Sequence, residues 1–230
     1  MTIGVVTGMV AEANCLDAAA ADTDIRVTGA DSERARAAVT ALCEAGVHAL
    51  VSFGLAGGLD PRLEPGDLVI ADAVLGTDGA RHDTDTRWRQ DLTAAVKGTV
   101  PFVVGPIAGS DTAVRTPEAK QALHQQSAAI AVDMESHIVA AAATEHGLPV
   151  LIVRAIADPT GRSIPAAALA GLGPDGRTRP LAVLRALLAR PGDLLPLIRI
   201  ARDSGRGMRT LRHVAPTLAP ALEQRQEDDA

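Results

Sequence analysis

Short apolar runs alternate with longer helix-like segments along the first 160 residues, and this alternation constrains the fold more than any other feature. Strands that alternate with helices are typical of βαβ units and a parallel sheet. We therefore predict an α/β fold with a mostly parallel, twisted central sheet flanked by helices. The predicted strands are Thr2–Thr7, Arg26–Thr28, His48–Phe53, Asp67–Leu75, Val100–Ile107, Ala129–Val132 and Pro149–Ala157, and the predicted helices are Met9–Ala21, Asp31–Gly46, Thr116–Gln126 and Asp133–His146.

Local signals refine these boundaries. Asp31 or Ser32 is a suitable cap for the second helix, and Pro117 suits the first position of the third. Pro101 cannot donate a backbone hydrogen bond, so it predicts either an edge strand or the start of a strand. The polar segment 76–87 is predicted to be a loop.

Composition excludes several classes of protein. Only 1% of the residues are aromatic, so the core must consist of aliphatic side chains, and stacking platforms for single-stranded nucleic acid are excluded. A net charge of −6 disfavours a nucleic-acid-binding surface across the domain. Two cysteines, Cys15 and Cys43, argue against a disulfide framework and a cysteine-built zinc site. No basic residue precedes Arg26, so no secretory signal is predicted and the cytoplasm is the expected location.

The chain changes character near Arg177. Segment 177–215 holds nine arginines and two acidic residues, and segment 223–230 is acidic. We predict a catalytic domain over 1–176, an arginine-rich helical extension over 177–222 that packs on it, and an acidic tail over 223–230. The spacing of Arg199, Arg202, Arg206 and Arg209 puts them on one helix face. Two interpretations stay open: a solvated helix face, and an interfacial helix that contacts anionic lipid, which would give membrane association.

Polar residues follow several predicted strands, at the edge of the sheet where ligands bind in open α/β folds. Glu12, Glu135 and Asp158 are three carboxylates predicted to converge on one crevice there. Carboxylates with different pKa values can divide the duties of acid and base. Each one alone is also compatible with a helix cap or a solvated charge.

Glycines occur in the same places: Gly8 follows the first strand, and Gly54, Gly57 and Gly58 follow the third. Their order, Gly-x-x-Gly-Gly, does not match the dinucleotide-binding pattern. The cluster is compatible with a tight strand-to-helix turn, or with close backbone approach to a sugar or an anion. The histidines form no convincing pair, so no metal site is predicted.

Five blocks in order resemble the nucleoside phosphorylase and nucleosidase superfamily. They are Gly4–Met9 with Glu12, Ser52–Leu59, Leu63–Val69, Val132–Ser136 and Val153–Asp158. The resemblance implies a nucleoside phosphorylase-like fold with extra C-terminal helices, no cofactor, and assembly as a homo-oligomer. Segment 51–61 and the arginine-rich C-terminus are most similar to the hopanoid-associated branch, which removes adenine from adenosylhopane.

The resemblance also implies roles for individual residues. Glu12 matches the acid that deprotonates the attacking water, and Asp158 matches the acid that protonates the purine. Glu135 matches the carboxylate that binds the ribose hydroxyls, with Met134 packing on the sugar. Val114 stands where relatives stack a phenylalanine on the base. A proton donor at the base and a carboxylate near the sugar would neutralise the charges that separate when the glycosidic bond breaks.

The loop formed by Gly8 and Gly54 to Gly57 is the predicted site of the nucleophile or an anion. Phosphorylases of this superfamily carry an arginine near Ser52 and a serine near Leu55, and both are missing here. Leu55 offers only its backbone N–H, as does Ala56 beside it. The departure favours water as the nucleophile, with phosphate left open as a co-substrate.

Three functions are therefore weighed for this chain. The first is cleavage of the N-glycosidic bond of a lipid-linked nucleoside, adenosylhopane, in hopanoid biosynthesis. The second is the same reaction on methylthioadenosine, S-adenosylhomocysteine or futalosine. The third is a nucleoside-binding protein without catalysis, against which the presence of all three carboxylates argues.

Overall fold

The central sheet of this protein curls back on itself. The computed structural model describes residues 2–16, 23–29 and 31–228, with side chains as far as Leu218. Its strands are β1 (Ile3–Thr7), β2 (Thr23–Val27), β3 (Ala49–Gly58), β4 (Leu68–Leu75), β5 (Arg81–Asp83), β6 (Phe102–Gly109), β7 (Ala131–Asp133) and β8 (Val150–Asp158). Its helices are α1 (Val10–Leu16), α2 (Ser32–Glu44), α3 (Thr86–Val96), α4 (Pro117–Ser127), α5 (Ser136–His146), α6 (Ala166–Ala170), α7 (Pro180–Ala189) and α8 (Leu194–Asp228).

The strand order explains the curl. The strands run β2-β1-β3-β7-β6-β4-β5, and β8 pairs with both β3 and β4. Consequently β3, β8, β4, β6 and β7 close into a ring. The pairs of β1 with β2 and β3, of β3 with β8, and of β6 with β4 and β7 are parallel. The predicted mostly parallel sheet flanked by helices is confirmed.

Helices cover both faces of the sheet because successive side chains of a strand point to opposite sides. Val5 and Val51 pack in a core that includes α1, α3 and α8. Their neighbours Val6 and Leu50 pack in a second core with α2 and α5. The strands β1, β3, β4 and β8 are largely buried on both sides, which is why they read as continuous apolar runs in the sequence.

Several predicted boundaries need correction. β3 continues through the glycine cluster to Gly58, so the cluster is not a strand-to-helix turn. Segment 76–87, predicted to be a loop, contains β5 and the start of α3, which Asp85 caps through the backbone N–H of Trp88. Pro101 directly precedes β6, which lies between β4 and β7, so it marks a strand start and not an edge.

The boundaries of the helices α1, α5 and α8 also differ from the prediction or extend beyond what the structure describes. α5 begins at Ser136 and not at Asp133, because β7 extends to Asp133. The predicted end of the first helix, over 17–21, lies outside the described residues. α8 continues to Asp228, into the segment predicted to be an acidic tail, and residues 229–230 lie outside the described residues. None of the described helices is both long and apolar enough to cross a membrane.

Candidate active site

A cavity of about 170 Å³ lies at the carboxyl ends of β1, β3, β7 and β8. Parallel strands of one sheet end at the same edge, so residues far apart in the chain meet there. Most of the residues predicted for the site line this cavity: Gly8, Glu12, Leu55, Ala56, Gly57, Val114, Met134, Glu135 and Asp158. Gly54 is the exception, because it lies against the buried side of Glu12 and Arg154 and does not line the cavity.

Glu12 is held at the first turn of α1 by backbone donors. The N–H of Leu55 donates to its Oε1 at 2.8 Å, and the N–H of Met9 donates to its Oε2 at 2.8 Å. Its side chain is buried, and burial raises the pKa of Glu12, although nearby Arg154 opposes that rise. The Leu55 N–H was predicted to be available to an external anion, and this is wrong because Glu12 accepts that hydrogen bond.

Arg154 lies in the middle of β8 with only 1% of its surface exposed. Its guanidinium forms ion pairs with Asp133 and, at 3.4 Å, with Glu135. It also donates to the hydroxyl of Ser52 at 2.5 Å. Buried charges need such partners, so β8 can hold an arginine in an otherwise apolar strand only because these acids meet it.

The carboxylates around Arg154 outnumber it. Among the described side chains, Asp133, Glu135 and Glu12 surround this one guanidinium. Burial raises the pKa of Glu135, and Asp133 and Glu12 raise it further by repulsion, while Arg154 acts in the opposite direction. With its pKa raised to about 8, Glu135 is mostly protonated at neutral pH, so this side of the cavity presents carboxyl oxygens as hydrogen-bond acceptors around one paired cation.

Asp158 also lines the cavity and is paired with Lys120. The Lys120 ammonium, which is fully buried on α4, donates to Asp158 Oδ2 at 2.5 Å. It also donates to three backbone carbonyls, those of Asp158, Pro159 and Arg162. Burial raises the pKa of Asp158 to about 6, against the lowering effect of Lys120. Lys120 thereby fixes the turn after β8 and the orientation of the Asp158 carboxyl group.

Sequence reasoning missed both buried cations. Arg154 belongs to the segment Val153–Asp158 that carries part of the family resemblance, but no function was predicted for it. An arginine in a strand predicted to be buried does imply buried acidic partners. Lys120 gave no such signal, because α4 is a mixed polar helix and its partner Asp158 is 38 residues away in the chain.

Glycines make room for each of the three carboxylates. A Cβ atom at Gly8 would lie 2.8 Å from Glu135 Oε1, and one at Gly54 would lie 2.8 Å from Glu12 Oε1. At Gly57 the distance to Asp158 Oδ2 would be 3.2 Å. The predicted close approach of backbone to an anion is therefore made to carboxylates of the chain itself. This role explains why the glycine spacing matches no nucleotide-binding pattern.

We expect Gly8→Ala to displace Glu135, because a Cβ at 2.8 Å from its oxygen requires the carboxylate to move. The unfolding free energy should fall by about 1–3 kcal/mol, as is usual when atoms are added to a packed site. Activity should fall about tenfold to a hundredfold, since a misplacement of 1 Å at a catalytic centre has effects on that order. Urea denaturation and a nucleoside cleavage assay measure the two effects.

Gly192→Ala is the matched control, because a Cβ there meets nothing within 4 Å. This variant should keep both stability and activity. Equal behaviour of the two variants would contradict the packing role assigned to Gly8.

Apolar side chains line the remainder of the cavity. Val114 packs with Leu59, Ala108 and Val132, and Ile164 and Leu172 also line the cavity. No aromatic side chain among the described residues lines the cavity. A ligand in the cavity would therefore contact aliphatic groups such as Val114. Within the described part of the chain, no cluster of histidine, cysteine or acidic side chains has the arrangement of a metal site.

Comparison with known proteins places this geometry in a family. A family profile described as the phosphorylase superfamily matches residues 5–189. A 5′-methylthioadenosine/S-adenosylhomocysteine nucleosidase from Marinomonas is 31% identical over 50% of this chain and 58% of its own length. Futalosine hydrolase from Streptomyces coelicolor is 30% identical over 49% of this chain and 54% of its own. The chain thus spans little more than half the length of these curated relatives.

A solved structure extends the likeness of the fold over nearly the whole chain. It is a 5′-methylthioadenosine/S-adenosylhomocysteine nucleosidase from Streptococcus pneumoniae with a transition-state inhibitor. It superposes with a TM-score of 0.68 over 95% of this chain and 100% of its own, at 19% identity. At that identity the likeness concerns the fold.

Proposed function

Because the chain belongs to the phosphorylase superfamily, we propose that its cavity binds a purine nucleoside and hydrolyses the N-glycosidic bond. The observation that carries this proposal is the meeting of Glu12, Glu135 and Asp158 around one cavity, with acids on two sides of the space a nucleoside would fill. A protein that only binds nucleosides has no need of three buried carboxyl groups, each of which is costly to desolvate.

The reaction separates charge, and each side of the cavity handles one sign. As the C1′–N9 bond breaks, its electron pair moves to the purine, and the Asp158 carboxyl donates a proton to the purine N7. The sugar becomes cationic and is stabilised by the carboxyl oxygens of Glu135 and Glu12. Glu12 takes a proton from a water molecule, whose oxygen bonds to C1′. Glu135 accepts hydrogen bonds from the ribose hydroxyls, and Met134 packs on the sugar.

The charge balance supports water over phosphate as the nucleophile. The single guanidinium of Arg154 is already paired with Asp133 and Glu135. The Leu55 amide is already bound to Glu12. A phosphate anion would therefore enter a buried site whose guanidinium and whose Leu55 amide are both already engaged by carboxyl groups of the chain.

For the substrate we propose a nucleoside with a large apolar 5′ substituent, of which adenosylhopane is the candidate implied by the sequence resemblance. Ile164 and Leu172 line the cavity and flank α6 in the chain, and they offer apolar contact to such a group. The alternative is a small nucleoside, methylthioadenosine, S-adenosylhomocysteine or futalosine, which the names of the curated relatives support.

An adenine-release assay in H₂¹⁸O, with and without phosphate, tests both parts of the proposal. We expect adenosylhopane to be cleaved with a kcat/KM at least about tenfold above that of methylthioadenosine, since even one methylene contributes a factor of that order in an apolar pocket. Mass analysis should find ¹⁸O in the sugar product under both conditions. A sugar phosphate as the product would contradict hydrolysis, and faster cleavage of methylthioadenosine or futalosine would favour the small-substrate alternative.

A further inference from the structure

The helices that follow the cavity expose an unusual amount of apolar surface. Helix α7 has no buried residue at all. Among the described side chains, nine large hydrophobic ones are exposed, and seven of these fall within segment 169–198. Six of them form what we call the α7–α8 surface, and three are exposed by two-thirds or more: Leu181 (75%), Leu188 (74%) and Leu195 (66%). The other three members are Leu184, Leu194 and Ile198.

The spacing shows that this surface is organised. Leu181, Leu184 and Leu188 recur at intervals of three and four residues, so they lie on one face of α7. Leu194, Leu195 and Ile198 occupy the first turns of α8, which begins after the short turn at 191–193. An exposed patch of this kind marks an interaction site more often than an accident of sequence.

Positive charge accompanies the leucines. Segment 177–202 carries six arginines and one aspartate, whereas the whole chain has a net charge of −6. All six guanidinium-bearing residues are exposed: Arg177, Arg179, Arg185, Arg190, Arg199 and Arg202. Charge is thus unevenly distributed over the protein, and the arginines are concentrated at the apolar α7–α8 surface. Leucines flanked by arginines on short exposed helices are typical of segments that lie in an anionic membrane interface.

The surface also adjoins the cavity. Leu172 lines the cavity, and its neighbour Gly171 packs so closely on α7 that a Cβ there would lie 2.7 Å from Val183. On the other side, the carbonyl of Gly176 accepts a hydrogen bond from the backbone N–H of Val10, next to Met9 of the cavity. Whatever the surface binds would therefore lie close to the opening of the cavity.

We propose that the α7–α8 surface docks on an anionic lipid bilayer and holds the cavity at the membrane interface. Self-association through this surface fits less well, because a second copy of the same surface would offer the six arginines only one aspartate as a partner. A lipid surface with negative headgroups instead neutralises the arginines and buries the leucines. The inference goes beyond the proposed function, since vesicle binding is measured without any nucleoside.

Vesicle sedimentation of the full chain tests the proposal. We expect the protein to co-sediment with vesicles of phosphatidylcholine containing about one-third phosphatidylglycerol, and to bind much less to phosphatidylcholine alone. The triple variant Leu181→Ser/Leu184→Ser/Leu188→Ser should bind at least about tenfold more weakly, given the transfer energy of each leucine. The double variant Arg185→Gln/Arg199→Gln should bind about fivefold more weakly for each arginine removed.

Two matched controls separate docking from general effects. Val103→Ser/Val104→Ser removes exposed apolar groups elsewhere, on β6, and Arg34→Gln/Lys97→Gln removes two exposed charges from other helices or their ends. Both controls should bind vesicles as the unchanged chain does. Equal binding by the leucine variant and the unchanged chain overturns the proposal. Failure of the unchanged chain to bind the vesicles also overturns it. Light scattering would then show whether the leucine substitutions convert an oligomer to a monomer, which would assign the surface to self-association.

Discussion

Asp158→Asn should lower kcat for adenine release by about 10²–10⁴-fold, the contribution usual for a general acid. The asparagine has similar shape and can still meet the Lys120 ammonium, but it has no acidic proton for the departing purine. Circular dichroism and urea denaturation check that the variant folds. Asp60→Asn is the control, because Asp60 is a buried aspartate paired with Arg62 outside the cavity, and its loss should leave kcat unchanged.

The pH dependence adds a signature that mere structural damage would not give. Burial raises the pKa of Asp158 to about 6, so the reactive protonated form is lost, and kcat/KM falls, as the pH rises above that value. Glu12 must be ionised, and burial raises its pKa too, so kcat/KM also falls as Glu12 gains a proton at lower pH. Asp158→Asn should remove the alkaline limb and leave the acidic limb in place.

A substrate that needs no proton on its leaving group gives an independent check. p-Nitrophenyl riboside releases a stable anion, so Asp158→Asn should cleave it within a few-fold of the unchanged chain. Equal losses on this substrate and on the purine nucleoside would mean that Asp158 is not the acid.

Arg154→Met should produce the largest loss of stability, about 3–5 kcal/mol, the usual result of leaving buried charges without their partner. The substitution keeps the length of the side chain within β8 but removes the cation between Asp133 and Glu135. Urea denaturation measures the difference. Arg81→Met is the control, because Arg81 also pairs with an aspartate, Asp83, but both side chains of that pair are exposed, and little change in stability is expected.

The same variant should respond to pH in a defined direction. Arg154 lowers the pKa values of Glu12 and Glu135, so its removal raises both further above the values of the unfolded chain. The folded state then binds more protons than the unfolded state over that interval, and stability falls as the pH rises. The loss caused by Arg154→Met should therefore be larger at pH 8 than at pH 5. An equal loss at both pH values would contradict the assigned ion pairs.

Much of the fold was predictable because the strands β1, β3, β4 and β8 are largely buried on both faces. Runs such as Val5–Thr7 and Val150–Ile156 have a simple local signature, and most of their boundaries fall within a few residues of the prediction. Prediction failed where local signals were weak. The short strand β5 is polar and is defined by its pairing with β4, and Asp85 looked like part of a loop although it caps α3.

The residues of the site also fall into those that were predicted from local sequence and those that were not. Glu12, Glu135 and Asp158 were found because each follows a recognisable strand, and a strand end is a local property of the sequence. Gly54 was predicted to lie in the loop of the nucleophile but packs against Glu12 and Arg154, and Lys120 was overlooked, because their neighbours are distant in the chain.

By itself the sequence determined the alternation of strands and helices, the edge at which polar groups gather, and the three acids offered there. Only the tertiary structure decided how those acids are charged and held, through Arg154, Lys120 and the glycines that let backbone approach them. The physical reason is the separation along the chain over which each interaction acts. Backbone preference and hydrophobic periodicity are encoded within a few residues, whereas desolvation and ion pairing depend on groups that only the closed sheet brings together.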